Sequence, residues 1–341
     1  MSSIIRQDMS TKNWTIFSIR RAQRPHDYKG PGKKKKILRK YEPGCPFCKG
    51  NESMTPEELL AINRGKNWSV RVVPNKFPAV EYKKDSLRGS ERRHISGPYL
   101  SIDGIGHHEV IIESPWHNDN IVRMGAGHVE KIVRAYRQRF IDISRDRQNQ
   151  LVIIFKNHGK RAGTSLDHPH SQIVATPFVP GYIRNKMFEA QRYYDDFGNC
   201  VYCDIIKYEL ENGSRLVYDN DKYLAIAPYA SVVPYNIIIY PKKHQSCFAE
   251  TTKDELVDLA GVLRTVLKKL YDMLDDPDYN FVIDSSPVDQ SGNRHYHWHL
   301  EILPRLSTRA GFEIGSGMNI NSIFPETCAK NLRNQKNNHI K

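Results

Sequence analysis

The stretch HEVIIESPWH, residues 108–117, has a counterpart in NIIIYPKKH, residues 236–244. Each is an apolar run of strand type that ends in a proline-containing turn and a histidine, His117 or His244. A long helix-like stretch follows each: AGHVEKIVRAYRQRFIDISRD from 126 and TKDELVDLAGVLRTVLKKLYDML from 252. In the second, Thr252 and Glu255 form a capping-box signature, and Leu256, Leu259, Leu263 and Leu267 recur on one helical face. A further strand comes next, QLVIIFKNH or NFVIDSS, and then a histidine-rich segment, DHPHSQ or HYHWHLEILP. The middle and late histidines are 51 residues apart in one half (His117 to His168) and 53 in the other (His244 to His297). Such repetition predicts two homologous α+β domains, 1–195 and 196–341, joined near 180–198. Each is expected to be a mostly antiparallel sheet with helices packed on it.

Bulk properties agree with a soluble globular chain large enough for two domains. It has 341 residues, 39% of them hydrophobic and 26% charged. No apolar run reaches the roughly 18 residues that a membrane helix needs. The first residues lack the apolar core of a secretory signal, so the expected compartment is the cytoplasm. Six cysteines in a reducing compartment read as metal ligands or free thiols rather than disulfides. The net charge of +13 fits a polyanionic small substrate or nucleic acid. The densest basic run, GPGKKKKILRK at 30–40, opens with Gly-Pro-Gly and reads as a solvated surface loop. No recognised nucleic-acid module is present, so nucleic acid is the weaker partner reading.

Each half begins with a C-x2-C pair, CPFC (Cys45, Cys48) and CVYC (Cys200, Cys203). One such pair is weak evidence, because two free thiols also fit. Two pairs, each followed by histidines at matching places, make a Cys/Cys/His/His set suited to tetrahedral zinc. Site one is assigned to Cys45, Cys48, His117 and His168, with His107 and His108 as competing ligands. Site two is assigned to Cys200, Cys203, His244 and one histidine of HYHWH. His297 is chosen on spacing, although alignment on the following proline would select His295. Four protein ligands leave no open position, so both sites are expected to be structural; iron is the other candidate ion.

The segment HPHSQ then reads mechanically. A metal on His168 fixes the backbone and leaves His170 free as a nucleophile towards phosphorus. Gln172 offers an amide that donates to a phosphoryl oxygen without an acidic proton. Upstream, NHGKRAGTSLD supplies Asn157, Gly159, Gly163 and Ser165, small or hydroxylic residues that suit close backbone approach to phosphate.

This segment resembles the galactose-1-phosphate uridylyltransferase family, a branch of the histidine-triad superfamily, and the resemblance runs over nearly the whole chain. RRAQRP (Arg21, Arg24), CPFCKGNE, VVPNKFPAV (Asn75, Phe77), ESPWH and HPHSQ all look like motifs of that family. The resemblance implies two tandem histidine-triad-like domains. It also implies that Arg21, Arg24, Asn75, Phe77, Asn157, Gly163 and Ser165 serve the nucleotide and its phosphates. The implied reaction is ping-pong. His170 attacks the α-phosphorus of a nucleoside-diphosphate sugar, and the nucleotidyl group then passes to a phosphate-bearing acceptor, with Gln172 stabilising the intermediate. A phosphate monoester with a pKa near ~6 leaves without a strong general acid, and glutamine at 172 argues for transferase over hydrolase. The first expectation is a UDP-glucose–hexose-1-phosphate uridylyltransferase.

Two features resemble instead the branch that includes plant ADP-glucose phosphorylase: the intact CVYC, and AGFEIGSGMNIN with Ser316 and Gly317 where hexose enzymes carry tyrosine and glutamate. The alternative expectation is therefore adenylyl transfer to inorganic phosphate, with adenylyl sulfate as a further donor candidate. A histidine-triad hydrolase working from HYHWH, with His297 free and His299 as acid, is a third reading. The family resemblance also implies a homodimer.

Overall fold

The computed structural model describes residues 3–18, 38–63, 67–83 and 93–335. Arg21, Arg24 and the lysines at 33–36 of the basic run lie outside the described residues.

In chain order the strands are β1 (Ile4–Gln7), β2 (Trp14–Phe17), β3 (Leu60–Ile62), β4 (Val70–Pro74), β5 (Arg93–Ser96), β6 (Tyr99–Ile102) and β7 (His107–Ile112). Helix α1 (Ala126–Ser144) leads to β8 (Leu151–His158) and β9 (His170–Thr176), then α2 (Gly181–Phe197) and α3 (Val201–Asn212). The second half repeats the order with β10 (Leu216–Asp219), β11 (Tyr223–Ile226), β12 (Ile237–Pro241), α4 (Lys253–Leu274), β13 (Tyr279–Asp284) and β14 (His299–Pro304). It closes with α5 (Gly311–Ser316), β15 (Asn319–Asn321) and α6 (Pro325–Arg333).

The two halves form one sheet. Its ten strands run β3-β4-β7-β9-β8-β13-β14-β12-β11-β10, and the order is a palindrome about the β8–β13 seam. Every pairing in it is antiparallel. The seam itself pairs Tyr279 with His158 through Ile283 with Ile154. The expectation of α+β halves with antiparallel strands and packed helices holds. The sheets are fused edge to edge, because β8 and β13 each leave a free edge after pairing within their own half.

Alternation along the strands sorts the side chains onto two faces. On one face Val152, Ile154, Ile173, Phe281, Ile283 and Leu300 meet the apolar stripes of α1 and α4 in a single core that spans both halves. The stripe of α4 contains Leu256, Leu259, Leu263 and Leu267 as expected. Its capping box is made: Glu255 N donates to Thr252 Oγ1 at 3.3 Å and Thr252 N donates to Glu255 Oε2 at 2.7 Å. On the opposite face Leu224, Ile226 and Tyr240 pack under α2 and α3. In the first half that face carries Val73, Val110 and Ile112 beneath Cys45, Phe47, Cys48 and Trp68. The chain between the halves is helical, α2, with Ile183, Met187 and Ala190 buried.

The first strands belong spatially to the second half. β2 pairs with β15 in parallel, Thr15 Oγ1 donates to Ala230 O, and Arg6 pairs with Glu326 at 3.0 Å.

Candidate active site and metal centres

β9 runs antiparallel to β7, with Val110 opposite Gln172 and Ile112 opposite His170. The pleat points His170 and Gln172 away from α1, towards the face that carries Cys45 and Cys48. Ser171 points back to α1. There it hydrogen-bonds Tyr136 (2.6 Å) and donates to Glu113 Oε1. Tyr136 also donates to Glu113 Oε1, at 3.0 Å. Lys156 of β8 reaches Glu113 Oε2 at 2.5 Å and donates to the carbonyl of His170 at 3.0 Å. Glu113 and Lys156 are both buried. Burial pushes the Glu113 carboxyl up, but the Lys156 charge and the Ser171 and Tyr136 hydroxyls outweigh it and hold it below the usual range. This buried ion pair fixes the backbone at residues 170–171 from behind.

His170 is 7% exposed. Its Nδ1–H donates to the carbonyl of His168 at 2.8 Å, which leaves Nε2 as the nitrogen with a free lone pair. Burial lowers its pKa, outweighing the backbone hydrogen bond that raises it, so the ring is neutral near pH 7. The Phe47 ring meets it edge-on at 5.4 Å.

Both Cys/His sets assemble. The ligand atoms of Cys45, Cys48, His117 and His168 lie within 4.8 Å of one another, as do those of Cys200, Cys203, His244 and His297. The imidazoles present Nδ1 to the thiols: His117 and His168 to Cys48 at 3.6 Å, His244 and His297 to Cys203 at 3.3 and 3.6 Å. Three rings are oriented from behind by backbone carbonyls on Nε2: His168 by Ser114 (2.7 Å), His244 by Asn293 (3.0 Å) and His297 by Pro241 (2.9 Å). A donated Nε2–H leaves Nδ1 bare, as a metal ligand must be. The residues therefore fit an ion. His297, rather than His295, enters the second set. His107 and His108 enter neither; His107 faces Asp146 at 3.2 Å. The two C-x2-C pairs differ in setting: Cys45 and Cys48 sit in turns, whereas Cys200 caps α3.

The residues expected at the phosphates lie after β4, near the end of β8 and on the loop before β9. Asn75 follows β4, and its Oδ1 accepts from Phe77 N at 2.9 Å. The Phe77 ring is 83% exposed, an open aromatic face beside that turn. Asn157, near the end of β8, is tied by Asn280 of β13, whose Nδ2 donates to Asn157 Oδ1 at 2.7 Å and to Ala162 O at 2.8 Å. Gly163 has φ +88°, and Ser165 is exposed on the loop that returns to His168. Gly159 is required by space: a Cβ there would lie 2.3 Å from Asp278 Cγ, and its φ is +83°. Arg21 and Arg24 lie outside the described residues.

The second half repeats the frame with different chemistry. His299 donates to His297 O at 3.1 Å, as His170 does to His168. Its Nε2, however, lies 3.8 Å from Asp284, which is paired with Lys186 and accepts from Tyr296 at 2.6 Å. Glu301 stands where the first half has Gln172. A cavity of about 720 Å³ lies over this region, lined by Tyr182, Tyr202, Tyr240, His299 and Glu301 among others. His297 is taken up by the Cys/His set, which counts against a hydrolase built on HYHWH. No helix among the described residues is long and apolar enough to cross a membrane.

Comparison with known proteins gives the class first: this chain is a nucleotidyltransferase. It belongs to the galactose-1-phosphate uridylyltransferase family, matching that family's N-terminal domain over residues 1–180 and its C-terminal domain over 185–341. It is 35% identical to ADP-glucose phosphorylase of Arabidopsis thaliana over 96% of this chain and 92% of the relative. It is 30% identical to galactose-1-phosphate uridylyltransferase of Thermotoga maritima, over 96% and 97% of the two chains. The crystal structure of the Arabidopsis ADP-glucose phosphorylase with bound ADP-glucose superposes with a TM-score of 0.84 at 32% identity, covering 98% of this chain and 100% of that one. A uridylyltransferase structure does so at 0.74 and 26% identity, covering 97% of each.

Sequence reasoning missed Glu113, Lys156 and Asn280, and it read His108 only as a competing metal ligand. A cue existed for two of them: Glu113 and Lys156 are charges directly at the ends of apolar strand runs, VII and VIIF, where an ion buried by its neighbours needs a partner.

Proposed function

We propose that this enzyme moves a nucleoside monophosphate group from a nucleoside-diphosphate sugar to a phosphate-bearing acceptor through a covalent nucleotidyl-His170. The observation that carries the reading is the buried His170, whose Nδ1 is engaged by the His168 carbonyl and whose Nε2 is left without a hydrogen-bond partner among the described residues. Nε2 attacks the α-phosphorus, the bond from that phosphorus to the bridging oxygen breaks, and sugar 1-phosphate leaves with the electron pair. The positive charge that develops on the ring is stabilised by the Nδ1–H bond to His168 O. An acceptor phosphate oxygen then attacks the same phosphorus and restores neutral His170. Gln172 donates to a phosphoryl oxygen, with Asn75, Asn157, Gly163, Ser165, Arg21 and Arg24 on the phosphates and Phe77 beside the base. Zinc in both Cys/His sets supplies structural cross-links, and no step passes through it.

UDP-glucose with a hexose 1-phosphate acceptor is the first substrate pair to test. A second pair, ADP-glucose with inorganic phosphate, is favoured by Ser316 and Gly317, by the Cys200/Cys203 set, and by the resemblance to the Arabidopsis phosphorylase. Incubation with each donor labelled at the α-phosphate decides between them. The expected adduct is stable to base and labile to acid, as a phosphoramidate is, and disappears in His170→Gly. Labelling by neither donor, or labelling that survives His170→Gly, overturns the reading.

A further inference from the structure

A side-chain amide beside a reacting phosphate can present either end. The NH2 end attracts a phosphoryl oxygen and the carbonyl end repels it. What selects the end at Gln172 is readable from its neighbours.

His108 lies on β7, one strand from Gln172. Its Nδ1 accepts the backbone N–H of Ala79 at 2.9 Å. A nitrogen that accepts carries no proton, so the neutral ring holds its single proton on Nε2. That nitrogen sits 2.8 Å from Gln172 Oε1. A ring protonated on both nitrogens would set Nδ1–H against the Ala79 N–H. The same logic fixes Asn75: its Oδ1 takes the Phe77 N–H, so its NH2 group faces inwards, 3.5 Å from Gln172 Oε1; it stands 3.0 Å from His108 Nε2, a side-by-side contact of two donors rather than a hydrogen bond between them. Two N–H groups thus converge on one atom of Gln172, which must be an oxygen. The chain begins and ends in backbone amides of the 75–79 turn, so it is anchored to the main chain at both ends.

We infer that His108 is a positioning residue for nucleotidyl transfer: with Asn75 it clamps the carbonyl of Gln172, so that the Gln172 NH2 group is the end turned to the phosphoryl oxygens. The inference rests on the reaction proposed above. His108 does not touch the phosphate; it acts through Gln172, and its loss frees the amide to turn its carbonyl towards an anion.

The test combines a double-mutant cycle with a spectrum. His108→Phe keeps a ring in the turn but removes both nitrogens. It is expected to lower the rate of nucleotidyl-enzyme formation about 10–100-fold, the usual cost of losing an orienting partner, with KM for the donor little changed. His108→Gln, which keeps an N–H donor, should recover most of the loss. On a Gln172→Ala background, His108→Phe should add nothing, because there is no amide left to orient. Additive effects of the two changes would overturn the inference. Metal content and melting temperature identify a variant that has lost its fold. The second measurement needs no turnover: the ¹⁵N spectrum of the imidazoles, assigned by the signal missing in His108→Phe, should show His108 as the Nε2–H tautomer. An Nδ1–H tautomer or an imidazolium at neutral pH sinks the clamp. If wild-type enzyme forms no adduct with either donor, the proposed reaction fails, and the spectrum alone decides the orientation of Gln172.

Discussion

Replacing Lys156 with methionine tests the support behind the active site. The lysine is 2% exposed and its partner Glu113 is fully buried. Methionine fills similar space but leaves the carboxylate with two hydroxyls and no cation. Breaking a buried pair from one side costs about 3–5 kcal/mol, because the remaining charge is uncompensated. The loss has a pH signature. In wild type the Glu113 carboxyl is held below its ordinary value of 4.5, so it contributes stability above that pH and loses it as pH falls through the folded value. Without Lys156, only the Ser171 and Tyr136 hydroxyls oppose burial and the folded pKa rises, so protonation relieves the variant as pH falls. The gap between variant and wild type should therefore be largest near neutrality and shrink towards the ordinary carboxyl range. Urea unfolding followed by tryptophan fluorescence measures this, since Trp68 and Trp298 are buried. Adding Glu113→Gln should recover most of the loss, because glutamine keeps an acceptor for Ser171 and Tyr136 without the charge. A Lys156→Met loss below about 1 kcal/mol, the level of an exposed pair, would refute the reasoning. So would a double variant no more stable than the single one.

Metal analysis should find two zinc ions per chain, one for each Cys/His set. Cys45→Ser should lose one ion and lower the melting temperature, because structural metal binding contributes folding free energy. His170→Gly should abolish transfer yet keep both ions and the wild-type melting temperature, whereas His168→Ala should lose an ion and stability together. Gln172→His, which supplies a proton donor beside the phosphoryl oxygens, should slow transfer and raise the share of free nucleotide, read by product analysis. Gly159→Ala should destabilise by more than about 1 kcal/mol, since both its positive φ and the Asp278 carboxylate exclude a side chain; a melting curve unchanged from wild type would contradict this.

Periodicity made the long helices and central strands legible. α1 and α4 carry apolar residues at helical spacing, and β8 and β13 are runs too apolar to lie at a surface. The duplicated cysteine and histidine spacing likewise made both candidate metal sets legible before any coordinates. Which strands would meet was not legible, since edge pairing between residues more than a hundred apart leaves no local mark. The joint expected near 180–198 is the helix α2, bounded by Pro180 and Gly198. His108 was read as a competing metal ligand. Its actual partners, Gln172 and the Ala79 N–H, come from distant strands and turns, and a single polar residue at a strand start gives no spacing from which to infer them.

The β8–β13 seam has a consequence for synthesis. During translation β8 and β9 are complete more than a hundred residues before β13 emerges. Until then β8 presents an unpaired row of backbone amides and carbonyls on a strand containing Leu151, Val152, Ile153 and Ile154. Such an edge is a template for pairing with another nascent chain. The second half therefore acts on the first as an edge cover that arrives late. A chain truncated after α2 should be prone to association through this edge, and a lysine facing solvent on β8 would suppress it.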